Sequence, residues 1–267
     1  MFLSMIKHYF KRIMQDPIMV GVYFFLPVGL VVLQMMMFNY NVEGEDHLAH
    51  GYNMIATFMV AAMLVLFQIF SSSTIIDYLH MDVHGDRKWR LLAAPTNFAK
   101  FIAAACVAAV IFSMLSGVIL LVVGGLVFDA YLFSIPVTLV VMFMLSLMAQ
   151  FFGMLLFLFF KKKAHTEAII MVTGFAMSTF AGEFVLGQID FGVDFLNNFF
   201  QRYTPYALGR RAISYAGTLT AECSPLVSEL RMEGNNMSGA IINIGILTAI
   251  TLVIGVAAYV IQRRRGV

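Results

Sequence analysis

An all-α polytopic membrane protein with six transmembrane helices is the fold this sequence predicts, and three observations carry the prediction. Of its 267 residues, 61% are apolar and 12% are charged, roughly half the charged share of an ordinary soluble domain. Six apolar runs are each long enough to cross a hydrocarbon layer of about 30 Å as a helix. Thirteen of the 17 Lys and Arg residues fall on one side when those runs are threaded in order. No polar block is long enough for a separate soluble unit, so residues 1–267 are expected to form one transmembrane domain.

Residues 1–16 read as an interfacial helix. Phe2, Ile6, Tyr9, Phe10 and Ile13 recur at helical spacing, and Lys7, Lys11 and Arg12 lie on the opposing side. Such a helix rests in the headgroup layer with its apolar face down, drawn to anionic lipid. The plainer alternative is a solvated helix ahead of the first span. The stretch lacks the uninterrupted apolar core and small-residue cleavage site of a signal peptide. Asp16 followed by Pro17 then turns the chain into the bilayer.

The expected spans are 18–38, 54–76, 101–128, 135–160, 167–187 and 240–261. Lys7, Lys11 and Arg12 precede the first, and Arg87, Lys88, Arg90 and Lys100 follow the second. Lys161, Lys162 and Lys163 follow the fourth, while Arg263, Arg264 and Arg265 follow the sixth. The loops 39–53 and 129–134 carry no Lys or Arg. The positive-inside rule therefore puts both termini in the cytoplasm, with a bacterial plasma membrane as the expected setting.

Residues 77–100 are then a cytoplasmic segment between spans two and three. Within it, Trp89, Leu91 and Leu92 sit among Arg87, Lys88 and Arg90; Asp86 suits a helix N-cap and Pro95 a stop. This reads as an amphipathic helix of about two turns, with a greasy ridge and a basic ridge to offer a soluble partner. The alternative is a topology signal resting on phosphate headgroups. Just upstream, His80, Asp82 and His84 alternate; a solvated loop is the simpler reading than a metal site.

The outer loop, 188–239, also has a pattern. Phe191, Phe195 and Phe199 recur every four residues, and Leu196, Phe200 and Tyr203 widen that stripe. Thr204 before Pro205 makes an N-cap and first-turn pair for a short helix through Tyr215. These pieces are expected to dip into the membrane or to lid a cavity, the alternative being an ordered external loop. Polar groups inside spans are Gln34, Gln68, Gln150 and Glu183, each open to a role in cargo contact or in an interhelical hydrogen bond. Gly174, Ser178, Gly245 and Ala249 are expected to mark close helix packing. Cys106 lies in an apolar run and Cys223 in a polar loop, so no disulfide is expected.

With this architecture the chain resembles the membrane (permease) subunit of a type-2 ABC exporter, in the group that contains daunorubicin-type drug exporters. GDRKWRLLAAP, residues 85–95, is similar to that family's coupling segment, and Lys100 takes the basic position before span three. RYTPYALGRRAI, residues 202–213, is similar to its Pro-centred run before the last span. His84 and Trp89 depart from the usual coupling pattern. The Arg-Tyr and Gly-Pro-Leu-Trp runs of polysaccharide and teichoic-acid exporters are missing.

The resemblance implies an ATP-driven exporter of a hydrophobic or amphipathic cargo: a drug, a lipid, or an antimicrobial or toxin peptide. It implies coupling through Arg87, Lys88, Trp89, Arg90, Leu91 and Leu92, with Lys7, Lys11 and Arg12 on the interfacial helix. A cavity lined by spans one, two and five would draw on Gln34, Phe67, Gln68, Met177 and Glu183. The sequence has no G-x-x-x-x-G-K-[ST] phosphate cradle, so ATP and magnesium belong to a separate ATPase subunit, two copies per complex. A second copy or paralogue of this chain would complete the dimer. No catalytic residue, resident metal or nucleic-acid partner is expected, and no H-E-x-x-H occurs. The competing readings are an ion-gradient-driven secondary transporter, which would want a buried charge relay, and a non-transporting membrane scaffold.

Overall fold

The computed structural model describes residues 2–41, 48–83, 85, 98–128, 130, 134–160, 162–181, 193, 195–196, 199–216 and 236–265. Among these residues the secondary structure is helical, without strands. Helix α1, Phe2–Met14, ends just before Asp16, whose Oδ1 accepts from the Ile18 and Met19 amides at 3.0 and 3.3 Å. That carboxylate caps α2, Pro17–Val20, with Pro17 in the first turn, where its missing N–H costs nothing. The expected turn at Asp16 and Pro17 is thus a capped restart. A π-helical turn, Gly21–Phe25, leads on to α3, Leu26–Asn41.

Helix α4, Leu48–Phe70, is separated from α5, Ser72–Val83, by a turn at Ser71. Then come α6, Phe98–Val127, α7, Ile135–Phe159, and α8, Lys163–Phe180. A π-helical turn at Phe199–Tyr203 precedes α9, Pro205–Tyr215, and α10, Met237–Arg265, closes the described chain.

Among the described residues, five stretches are long and apolar enough to cross a membrane: Pro17–Met36, Ala56–Val83, Ala99–Val127, Ile135–Phe159 and Met237–Arg264. They coincide with five of the expected spans. The remaining one, 167–187, is helical through Phe180 within α8, and its later residues lie outside the described set. The second span differs most from expectation, because helix persists to Val83. Ile75, Ile76 and Leu79 keep an apolar face going at helical spacing, and all three are buried.

This second span is the hub. Its most apolar window is 100% buried inside the chain, whereas those of the first and last spans are 28% and 17% buried. Helices α3, α6, α7, α8 and α9 pack around α4, and α5 carries the contact on to α6, α7 and α8. Closeness to α8 depends on Gly174: a Cβ there would stand 2.4 Å from Cε1 of Phe70. Gly174 and the buried Ser178 thus mark a close helix contact. Gly245 and Ala249 do not: Gly245 has nothing within 4 Å of its would-be Cβ, and both are exposed. The bundle instead takes the face of α10 carrying Asn243, Leu247, Thr251 and Ala258.

Helix α9, from the stretch read as an outer loop, is a core element. Thr204 Oγ1 accepts from the Ala207 amide at 3.3 Å, which is the expected cap. Tyr206, Leu208, Ala212 and Ile213 are buried against α4, α7 and α10. The Tyr206 hydroxyl donates to the Ala62 carbonyl of α4 at 3.3 Å, and the Arg210 guanidinium lies 5.1 Å from the Phe58 ring centre. An apolar stripe with Gly209 against Leu145 lets so short a helix enter between its neighbours.

Candidate functional site

Two polar layers are strung along the second span, one at the break between α4 and α5 and one near the end of α5. At the first, Gln68 Nε2 donates to the Ser113 carbonyl at 3.0 Å, and its Oε1 accepts from the hydroxyls of Ser113 and Ser146. Those hydroxyls are 2.9 Å apart. Gln150 Nε2 donates to the Ser71 carbonyl and hydroxyl oxygen, both at 3.1 Å, and the Ser71 hydroxyl donates to the Gln68 carbonyl at 2.6 Å. Tyr23, at the centre of the π-helical turn, donates to the Phe70 carbonyl at 2.7 Å and lies 2.7 Å from the Ser73 hydroxyl oxygen. Ser116 in turn donates to the Tyr23 carbonyl at 2.7 Å.

The physical reason for this layer is backbone chemistry. A broken helix in an apolar bundle leaves carbonyls that water cannot reach, and side chains of neighbouring helices must answer them. The Ser71 break and the π-helical turn at 21–25 sit side by side, each using donors from elsewhere. Spans one, two, three and four are joined here through hydrogen bonds.

The second layer is charged. Arg12 Nη1 donates to both oxygens of Asp82, at 3.0 and 2.9 Å, and the Tyr9 hydroxyl donates to Asp82 Oδ2 at 2.9 Å. The Arg12 guanidinium also lies 4.6 Å from the Tyr78 ring centre. Tyr9 stands edge-on to Phe101 of α6, with ring centres 5.2 Å apart. On another side of α5, Asp77 forms an ion pair with Lys163 at the start of α8, which also faces Glu167 at 3.6 Å. Burial alone would lower the Lys163 pKa; contact with Asp77 and Glu167 outweighs it and holds the ammonium above its ordinary value.

Helix α5 is therefore clamped twice, near its end to α1 by Asp82 and at its middle to α8 by Asp77. Both clamps lie directly before the segment singled out for coupling. Asp82 and His80 are buried in helix, not placed in a solvated loop, and the His80 ring meets Phe157 edge-on at 4.9 Å. Among the described residues no group of three or more His, Cys, Asp or Glu side chains could hold a metal ion. The Gly85 amide donates to the His80 carbonyl at 3.1 Å and so finishes α5. A Cβ on Gly85 would stand 2.4 Å from the Met81 carbonyl oxygen, which requires glycine at that position.

Arg87, Lys88, Trp89, Arg90, Leu91 and Leu92 lie outside the described residues, as do His84 and Glu183. On α1, Lys7 and Lys11 are exposed, while Arg12 turns inward to Asp82. Of the residues assigned to a cargo cavity, Phe67 and Gln68 are 5% and 1% exposed and enclosed by the chain itself. Gln68 uses its amide on Ser113 and Ser146, and Phe67 packs edge-on to Tyr23 and Phe70. Gln34 is half-buried with its amide oxygen lacking a hydrogen-bond partner, and Met177 packs half-buried against the common core.

No family model and no curated protein sequence matches this chain. The functional reading accordingly rests on the residues and their geometry.

Sequence reasoning did not single out Asp77 or Tyr23, and it read Asp82 in a solvated loop and Tyr9 on a membrane-facing stripe, although the two meet in the structure. A faint signal was present for the acids: both stand on the side otherwise rich in Lys and Arg, within reach of an apolar helical repeat that runs past Ile76.

Proposed function

We propose that this chain is the membrane-spanning subunit of an ATP-driven ABC exporter that moves a hydrophobic or amphipathic cargo out of the cytoplasm or the inner leaflet. Drugs, lipids and antimicrobial or toxin peptides are the cargo classes, with self-protection or secretion as the role. The chain itself is not an enzyme: ATP and magnesium would sit on a separate ATPase, two copies serving a pair of membrane subunits. Both termini would be cytoplasmic in a bacterial plasma membrane.

The observation that supports this reading best is the double clamp on α5. A force applied to residues 85–95 reaches α5 first, and Asp82 and Asp77 tie that helix to α1 and α8. From there the hydrogen-bonded break at Ser71 joins the same span to α6 and α7. A lever, two attachments and a jointed shaft are what remote ATP hydrolysis needs in order to move a membrane bundle. Trp89, Leu91 and Leu92 would fill a groove on the ATPase while Arg87, Lys88 and Arg90 meet its acidic rim, the usual form of an interface that concentrates binding energy on an aromatic anchor.

The test is co-expression with an ATPase encoded beside this chain, followed by purification and reconstitution. Deleting residues 85–95 is expected to abolish co-purification. Trp89→Ala, or charge reversal at Arg87 and Arg90, is expected to leave ATP hydrolysis running while export stops. Unchanged export in those variants removes the coupling assignment.

A further inference from the structure

Helices α6 and α10 both pack on α7 and leave between them a groove of about 600 Å³. This is within the size of ordinary small-molecule sites, roughly 300–1,000 Å³. Its walls are nearly all apolar, with Ala103 and Val107 on α6, Phe143 and Phe151 on α7, and Gly255 and Tyr259 on α10. Gly255 sets its depth: a Cβ there would stand 2.8 Å from the Phe151 ring, so α10 lies tight on the floor.

Charge separates this groove from the rest of the apolar surface. On α6, Lys100 precedes Ala103, Val107 and Ile111 by three, seven and eleven residues, so it shares a helix face with groove-lining positions. On α10, Arg263 follows Tyr259 and Gly255 by four and eight residues and continues their row. Both walls thus run out into an exposed cation at the same end, where Ala99 and Gln262 also line the groove. A second groove of about 400 Å³, at the opposite ends of α6 and α7, is equally apolar, yet residues 118–139 that bracket it contain no Lys or Arg.

From this juxtaposition we propose that the α6–α7–α10 groove is a binding site for an anionic phospholipid. Its acyl chains lie along Ala103, Val107, Phe151 and Gly255, and its phosphate is held between Lys100 and Arg263. Basic pockets between spans on the cytoplasmic side hold anionic headgroups in this way. The site does not depend on the ATP-driven reading, since every residue in it belongs to this chain.

The experiment is native mass spectrometry of the full chain released from detergent, with phosphatidylglycerol and phosphatidylcholine of identical acyl chains added at equal concentration. Phosphatidylglycerol is expected to be retained preferentially. Neutralisation in Lys100→Gln and Arg263→Gln is expected to weaken its retention about fivefold for each cation, leaving phosphatidylcholine unchanged. Filling the groove in Ala103→Phe with Val107→Phe, charges intact, is expected to lower retention of both lipids. Lys162→Gln, a same-side cation away from the groove, is expected to change neither. Equal retention of the two lipids by the unaltered chain overturns the proposal, since the groove then holds ordinary boundary lipid. A preference that survives neutralisation, is lost equally in Lys162→Gln, or persists in the filled groove overturns it as well. Each variant is compared only as a monodisperse, folded species by size exclusion and circular dichroism.

Discussion

Arg12 and Asp82, 70 residues apart in sequence, meet as an ion pair at 2.9 Å and fix the N-terminal helix to the end of the second span. Their side chains are 17% and 7% exposed, so solvent screens the pair little. The Tyr9 hydroxyl is a further donor to the same carboxylate, so two residues of α1 converge on Asp82.

Arg12→Ala is therefore expected to cost about 2–3 kcal/mol, because it takes a bidentate donor and its positive charge away from a buried carboxylate. Arg12→Ala combined with Asp82→Ala is expected to cost less than the sum of the single changes by about 1–3 kcal/mol. Thermal unfolding in detergent micelles measures both. Strict additivity would show that the two groups act independently.

Gln68→Leu removes the centre of the polar layer while keeping the side-chain bulk. Interhelical hydrogen bonds in apolar surroundings are worth roughly 0.6–2 kcal/mol, and the Ser113 and Ser146 hydroxyls remain able to pair with each other. A loss of about that size is expected in the same unfolding assay. A loss above about 3 kcal/mol would point to collapse of the α4–α5 break itself.

Gly174→Ala places a methyl group against the Phe70 ring, where it would stand at 2.4 Å. Overpacking of this kind costs about 1–3 kcal/mol. Because the obstruction is a side chain, Phe70→Leu in the same molecule is expected to recover much of the loss. Failure of that rescue would mean that α8 approaches α4 through other atoms.

Gly85→Ala meets backbone, which cannot swing aside: the Met81 carbonyl oxygen lies 2.4 Å from the new carbon. The end of α5 is expected to fray, with faster amide exchange over residues 81–83, equivalent to about 1–3 kcal/mol of local stability. Unaltered exchange there would show that the helix ends without help from glycine.

Much of this architecture was legible because it follows from one-dimensional signals. Apolar runs located five membrane-long helices, and Thr204 with Pro205 announced α9 together with its cap. Asp16 before Pro17 likewise marked the restart of helix. What could not be read is whatever depends on distant partners. A polar stretch after Ile76 looks solvated until Arg12, Tyr9 and Lys163 are brought against it in space. The burial of α9 was hidden for the same reason, since its stripe is too short to show whether lipid, water or protein faces it. Gly245 and Ala249 show the reverse: spacing by four is necessary for a close helix contact but not sufficient, and no helix of this chain's described residues meets Gly245.

The enclosure of the second span bears on how the protein is made. Of its walls only α3 is encoded before it; α6, α7, α8 and α9 follow, so the ribosome delivers the shaft before most of its housing. During that interval Ser71 has the Gln68 carbonyl of its own span, but the Gln68 side-chain amide has neither Ser113 nor Ser146, and Gln150 is absent, until the third and fourth spans emerge. Biogenesis accordingly proceeds from an unsatisfied middle outwards, and a lesion far downstream in α7 would surface as faulty insertion of the second span.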